Sequence, residues 1–202
     1  MSTSYAKAET LVGAVAAPLD WARGLALVVA FSLLTALAAQ VVVPLPWTPV
    51  PLTGQTFAVL LTGALLGSRL GALAMLAYLA EGALGLPFFR AGAGGVGHFF
   101  GPTAGYLLAF PAAAYVAGLL AERGWDRRFL TAAAAMALGS FVVLAGGWAW
   151  LAFALGSAAQ AFRLGVVPFL AGDVVKIALA AALLPAGWAL LRRGRVSEKS
   201  RA

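Results

Sequence analysis

Residues 169–191 read FLAGDVVKIALAAALLPAGWALL. The run is long enough to span a bilayer, which takes roughly 20 predominantly apolar residues, yet it carries Asp173 and Lys176 three positions apart. A full charge in mid-span costs about 2.5 kcal/mol or more on insertion scales. Residues that expensive are retained where they face a protein interior or a polar solute. At i, i+3 the two share one face of a helix.

The rest of the chain sets this helix in its context. Of 202 residues, 62% are hydrophobic and 10% charged, whereas an ordinary soluble domain is roughly a quarter charged. The composition is that of an integral membrane protein with one transmembrane domain. The net charge of +7 therefore reads as basic residues flanking membrane helices rather than as a nucleic-acid surface. No Cys is present and His98 is the single histidine, which excludes a disulfide framework, a thiolate metal site and a Cys nucleophile. The first 20 residues lack the basic and apolar regions of a signal peptide, and read as a loosely ordered cytoplasmic tail.

Apolar runs place spanning helices near Trp21–Val43, Arg69–Leu86, Thr103–Glu122, Phe129–Leu155 and Val166–Leu191. Between the first two lies TGQTFAVLLTGALLG (53–67), too short to stand upright across the bilayer, yet helical or re-entrant because unpaired backbone cannot face lipid. The expectation is an all-α integral membrane protein with six transmembrane helices, the second one short. With six crossings, Lys7, Arg23, Arg69, Arg123, Arg127, Arg128, Arg192, Arg193, Arg195, Lys199 and Arg201 fall on one side, and only Arg90 and Arg163 on the other. By the positive-inside rule the N and C termini are cytoplasmic. Residues 1–20 form a cytoplasmic tail, 21–192 the transmembrane substrate-binding domain, and 193–202 a basic cytoplasmic tail. The chain is expected in the inner or cytoplasmic membrane, multi-pass.

Three connections then face outward. PLPWTPVPLTGQ (44–55) has four prolines and is expected to be stiff and extended. PFFRAGAGGVGHFFG (87–101) is glycine-rich and aromatic, and GSAAQAFRLG (156–165) joins the last two helices. From the outer helix ends, Asp173 lies roughly 10 Å deep and Glu81 roughly 8 Å, at 1.5 Å per residue. A shared depth implies one cavity for Glu81, Asp173 and Lys176, open to the outside. Mutual neutralisation of Asp173 and Lys176, and snorkelling of Glu81 or its hydrogen bond to Tyr78, remain the structural alternatives. A carboxylate beside an ammonium complements a cyclic urea or amide, which shows N–H donors next to a carbonyl acceptor.

Four stretches, PVPLTGQTFAVLLTGALLG, YLAEGALGLPFF, GPTAGYLLAFPAAAYVAGLLAERG and AGDVVKIALAAALLP, resemble in order the BioY family, the biotin-binding S components of energy-coupling-factor (ECF) transporters. The likeness runs from about Pro44 to Pro185. It implies six membrane helices with cytoplasmic termini, and biotin bound with high affinity near the external face. Asp173 and Lys176 would contact the ureido ring, joined by a polar residue on the third helix, placed at Glu81. The loop after the first helix would act as a lid, making Gln55 and Trp47 candidate contacts. The implied partners are a transmembrane coupling subunit and a pair of ATPase subunits, met by small residues of the first helix. Ala22, Ala26 and Ala30 have the small-xxx-small spacing that lets helices approach closely, although internal packing explains the same spacing.

Tyr78, Phe88 and Trp148 are candidates to line the ring and chain of the ligand. Arg90 and the glycine N–H groups of the outer loop are candidates to meet an anionic tail, the alternative for Arg90 being a solvated charge. GAGGVG (92–97) matches the dinucleotide fingerprint in letters only, since it follows a membrane helix and not a strand. His98, beside Phe99 and Phe100, reads as an interfacial residue. Ser140 lies in an apolar span without a base in reach, so an intramembrane hydrolase is excluded. No phosphate-binding G-K-[ST] loop exists, so any ATP hydrolysis belongs to partners. No enzymatic activity and no cofactor are expected. A transporter subunit for another small vitamin, or passive uptake without coupling subunits, stays open.

Overall fold

The computed structural model describes residues 10–16 and 20–199, with side chains through 193 except at 16. It is an all-α membrane protein of eight helices among these residues: α1 Leu11–Ala16, α2 Trp21–Ala39, α3 Gln55–Leu66, α4 Ser68–Ala83, α5 Ala104–Ala121, α6 Phe129–Leu155, α7 Ala158–Gly165 and α8 Val167–Lys199. Four of them, α2, α5, α6 and α8, are long and apolar enough to cross a membrane.

Hydrophobicity runs all round these helices, so the inward face is set by residue size and polarity. Leu25, Leu33, Leu37, Leu73, Leu108, Phe141, Phe153, Val174, Leu179 and Leu183 point outward and stay exposed, a surface suited to acyl chains. Tyr78, Phe89, Phe110, Met75, Met136, Val143 and Leu184 fill the interior. Along α8 the inward face runs through Phe169, Asp173, Ala180 and Leu184, at the helical period.

At 12 residues, α3 is about 18 Å long at the helical rise, and its two ends meet different parts of the bundle. Its N-terminal Gln55 meets Tyr78 and lies near Phe88, whereas its C-terminal turn docks on the far end of α5. That turn needs Gly67, whose φ of 88° suits no L side chain. The next residue, Ser68, donates to the Glu122 carboxylate from its backbone N at 2.8 Å and its hydroxyl at 3.0 Å. Gly118 of α5 packs directly beneath, where a Cβ would meet the Gly67 carbonyl oxygen at 2.7 Å. All loops bearing the candidate ligand contacts lie at the other end of the bundle.

Several segments differ from expectation. The proline-rich connection is not one extended strap; Val42–Val43 and Leu52–Thr53 pair antiparallel, Val42 opposite Thr53 and Val43 opposite Leu52. Pro44, Pro46, Pro49 and Pro51, which lack an N–H, occupy the intervening turn or its edge, leaving the flanking residues to supply the ladder. The helix expected to reach Leu86 stops at Ala83, with Leu84 as its cap and Gly85 at φ 98°. The last outer connection folds as α7, capped by the Ser157 hydroxyl, which accepts from the Gln160 N–H. Part of the expected N-terminal tail, Leu11–Ala16, is helical with Leu11 buried against the bundle. Likewise α8 continues through the expected basic tail to Lys199. Lys7 and Arg201 lie outside the described residues.

Candidate functional site

At the loop-bearing end, the hairpin, the 85–103 loop and parts of α3, α5, α6 and α8 enclose a cavity. Its polar wall comes from α3 and α8. Lys176 Nζ lies 3.8 Å from Asp173 Oδ1 and donates to Thr56 Oγ1 at 2.7 Å. On the other side the Ser140 hydroxyl donates to Asp173 Oδ2. Each charge of this ion pair is thus also bonded to a hydroxyl from a different helix.

The remaining lining is mostly apolar. Thr103, Tyr106, Leu107 and Phe110 come from one face at the start of α5, Val143 and Leu144 from α6, and Phe169 from α8. The Tyr106 hydroxyl donates to Gly165 O at 2.6 Å, so this residue offers the cavity its ring. The outer loop adds Phe89, Arg90 and His98, with the His98 ring edge-on to Phe89 at 5.4 Å. Arg90 Nε is buried without a hydrogen-bond partner, a donor whose desolvation is uncompensated.

Of the residues the sequence singled out, Asp173, Lys176, Gln55 and Arg90 line this one cavity. Gln55 is the first residue of α3 and not part of a loop. Its Nε2 donates to the Tyr78 hydroxyl at 2.6 Å and its Oε1 accepts from Thr53 at 2.8 Å. Tyr78 is fully buried behind it and donates onward to Phe88 O at 3.1 Å. Tyr78 thus supports the wall without forming it, and Phe88 supplies a carbonyl while its neighbour Phe89 supplies the ring.

Three candidates lie outside the lining of this cavity. Glu81 is not among the residues lining the cavity, and its Oε2 is buried without a hydrogen-bond partner. The Tyr78 hydroxyl is committed to Gln55 and Phe88, so Glu81 does not pair with it either. Trp47 stands 63% exposed in the hairpin turn, away from the cavity. Trp148 donates to Ala158 O at 3.0 Å and does not line the cavity. His98 does line it, where the sequence placed it at the interface. Ala22, Ala26 and Ala30 are exposed along one side of α2, so internal packing does not explain their spacing.

Thr56, Ser140, Tyr106, Phe110 and Phe169 are lining or gripping residues that the sequence reading did not place in the site. A usable signal existed for the α5 group, whose positions 103, 106, 107 and 110 repeat at helical spacing. No group of three or more potential metal ligands occurs among the described residues.

Chemically, the cavity offers a carboxylate acceptor and an ammonium donor side by side at one wall, aromatic and aliphatic walls around them, and an unpaired guanidinium donor at the loop. It fits a small heterocycle carrying N–H donors beside a carbonyl, with an apolar body.

Comparison with known proteins agrees with this chemistry. The BioY family model matches residues 6–193. The chain is 45% identical over 159 residues to the probable biotin transporter BioY of Pyrococcus horikoshii, covering 79% of this chain and 92% of that protein. It is 38% identical over 151 residues to the biotin transporter BioY of Thermotoga maritima, covering 75% and 87%. The crystal structure of the S-component for biotin from an ECF-type ABC transporter shares the fold, with a TM-score of 0.75 at 24% identity over 85% of this chain and 92% of that one. By the extent of the family match and the identity to these relatives, the chain belongs to the BioY family.

Proposed function

We propose that this protein captures biotin at the outer face of the cytoplasmic membrane as the substrate-binding subunit of an ECF transporter. The observation that carries this reading is the Asp173–Lys176 pair, bonded to Ser140 and Thr56, at the wall of an otherwise apolar cavity. Asp173 accepts from the ureido N–H groups and Lys176 donates to the ureido carbonyl. Phe89, Phe110 and Phe169 enclose the rings and chain, and Arg90 meets the valerate carboxylate. The relatives, named as biotin transporters, support the choice of ligand.

Six helices cross the membrane in this reading, α2 to α6 and α8, with α3 the short one and both termini cytoplasmic. The span from 21 to 192 is the transmembrane domain between two cytoplasmic tails, 1–20 and 193–202. Support comes from Arg69, Arg123, Arg127, Arg128, Arg192 and Arg193 gathering at the end opposite the cavity. Energy comes from partners, a transmembrane coupling subunit and a pair of ATPase subunits. The exposed Ala22, Ala26 and Ala30 on α2 offer the coupling subunit a close-packing face.

Uptake of labelled biotin by cells unable to make or import it tests the function. Expression of this chain with coupling subunits is expected to restore uptake, and Asp173→Asn to lower it at limiting biotin; no uptake with wild type refutes the proposal. Restoration by the chain alone overturns the partner requirement only. Because the chain has no Cys, single-cysteine variants test topology directly. A cysteine at Trp47 should react with impermeant reagent from outside, and one at Arg127 only after permeabilisation.

A further inference from the structure

We propose that Gln40, the residue capping α2, is a positioning residue that sets the ligand-charge preference of the site by holding the Arg90 loop. This rests on the reading of Arg90 as the partner of the ligand carboxylate. Gln40 is not itself among the residues that line the cavity. Its amide instead gathers the backbone of the 87–92 loop. Nε2 is shared between Ala36 O of its own helix at 2.8 Å and the loop carbonyls Phe89 O at 3.3 Å and Pro87 O at 3.4 Å, and Oε1 accepts from Gly92 N at 2.7 Å. Three backbone groups of one six-residue loop thus converge on a single side chain from a different helix.

The loop needs such a clamp. Ala91 sits at φ 55°, ψ 37°, the only non-glycine residue with positive φ among those described. A left-handed alanine persists only when the surroundings hold it there. Within the loop, Phe89 N donates to Ala93 O at 2.8 Å and Ala93 N to Arg90 O at 3.2 Å, which closes the loop on itself. Outside it, Tyr78 grips Phe88 O, and Gly95 N donates to Gly82 O at 2.7 Å. These contacts tie the loop to α4, and among the described residues Gln40 is the side chain that bonds to loop backbone on both sides of Arg90. The Arg90 Nε is buried with no hydrogen-bond partner, so that nitrogen does not hold the side chain toward the cavity. Its direction is inherited from the backbone that Gln40 holds.

The consequence is selective. Without Gln40 the loop relaxes and Arg90 is no longer presented to a carboxylate. Asp173, Lys176, Thr56 and Ser140, on α8, α3 and α6, do not move with it. Recognition of the ligand's anionic tail is lost while grip on the ureido ring is kept.

Calorimetric titration of detergent-purified full-length protein with biotin and with biotin methyl ester reads this directly. Wild type is expected to favour the acid by roughly tenfold or more, the scale of one hydrogen bond to a charged group. Arg90→Gln should bring the ratio to about one on the same grounds. Gln40→Ala, and Gln40→Glu, which places an acceptor against two carbonyls, should lose most of the acid preference. Both should bind the ester within about twofold of wild type, well below the cost of a lost hydrogen bond; ester binding also shows that each variant is folded. Equal weakening of acid and ester in the Gln40 variants would mean a general structural role and overturns the proposal. So does an unchanged ratio in the Gln40 variants when Arg90→Gln abolishes it. An unchanged ratio in Arg90→Gln removes the Arg90 reading itself, and the role of Gln40 with it.

Discussion

Replacing Asp173 by Asn keeps the shape of the side chain and removes its charge, so the loss it causes is a loss of electrostatics and hydrogen bonding. Lys176 Nζ lies 3.8 Å from the carboxylate. At an effective dielectric of about 20 their attraction is about 4 kcal/mol. Part of that is recovered, because Lys176 retains Thr56 and some contact with water. The amide also turns one acceptor into a donor, which faces a ureido N–H, and one charge-assisted bond of about 1.5–3 kcal/mol disappears. A binding loss of about 2–4 kcal/mol is expected, roughly 30- to 700-fold in Kd. Lys176→Met should lose a similar amount by stranding Asp173. The double variant Asp173→Asn/Lys176→Met strands neither charge, so its loss should fall short of the sum by about 0.5–3 kcal/mol, the usual coupling of contacting residues. Titration of the four proteins with biotin measures the whole cycle. Wild-type affinity in either single variant, or strict additivity, refutes the reasoning.

Tyr78→Phe removes the hydroxyl between Gln55 and Phe88 O; a stability loss of about 1–3 kcal/mol is expected from the buried groups left unpaired, read as a lower Tm in detergent, with weaker biotin binding as Gln55 loses its anchor. Gly118→Ala forces a methyl onto the Gly67 carbonyl oxygen, and the overpacking should cost about 1–3 kcal/mol in thermal unfolding with little change in affinity for the surviving folded protein. Asp126 lies in the turn between α5 and α6 with Oδ2 accepting from Trp188 at 2.6 Å and Oδ1 unpaired. Burial raises its carboxyl above the ordinary carboxylate range, so the folded state holds this proton more tightly than the unfolded chain does. Stability from this group is present at low pH and lost as pH rises through the raised folded value. Asp126→Asn should flatten that decline when Tm is followed across pH, and an identical pH profile in the variant contradicts it.

The helix 8 pair was legible in the sequence because a charge inside an apolar span has few places to go. Asp173 and Lys176 share a face, and that face has to be the inner one. The place of Glu81 outside the cavity lining was not legible, because depth along a helix does not say which way a side chain points. Ser140 and Thr56 were illegible because hydroxyls in apolar helices commonly bond back to their own backbone. Ser32 and Thr35 of α2 do so, donating to Val29 O and Phe31 O at 2.9 Å each. A hydroxyl that crosses to another helix looks the same in sequence. The hairpin of residues 42–53 was hidden by its prolines, which argue against a strand within the run but not beside it. The all-α membrane class and the four long apolar helices were legible from composition, while the docking of the Gly67 turn on Glu122 emerges only from the structure.

The most direct measurement is an equilibrium titration of the purified protein with biotin and, in parallel, with thiamine, in detergent. Tight, saturable binding of one biotin per chain, with none of thiamine, is expected from a carboxylate–ammonium pair shaped for a cyclic urea. Folded protein that binds neither, or binds thiamine as well as biotin, would contradict the assignment of Asp173 and Lys176 to the ureido ring.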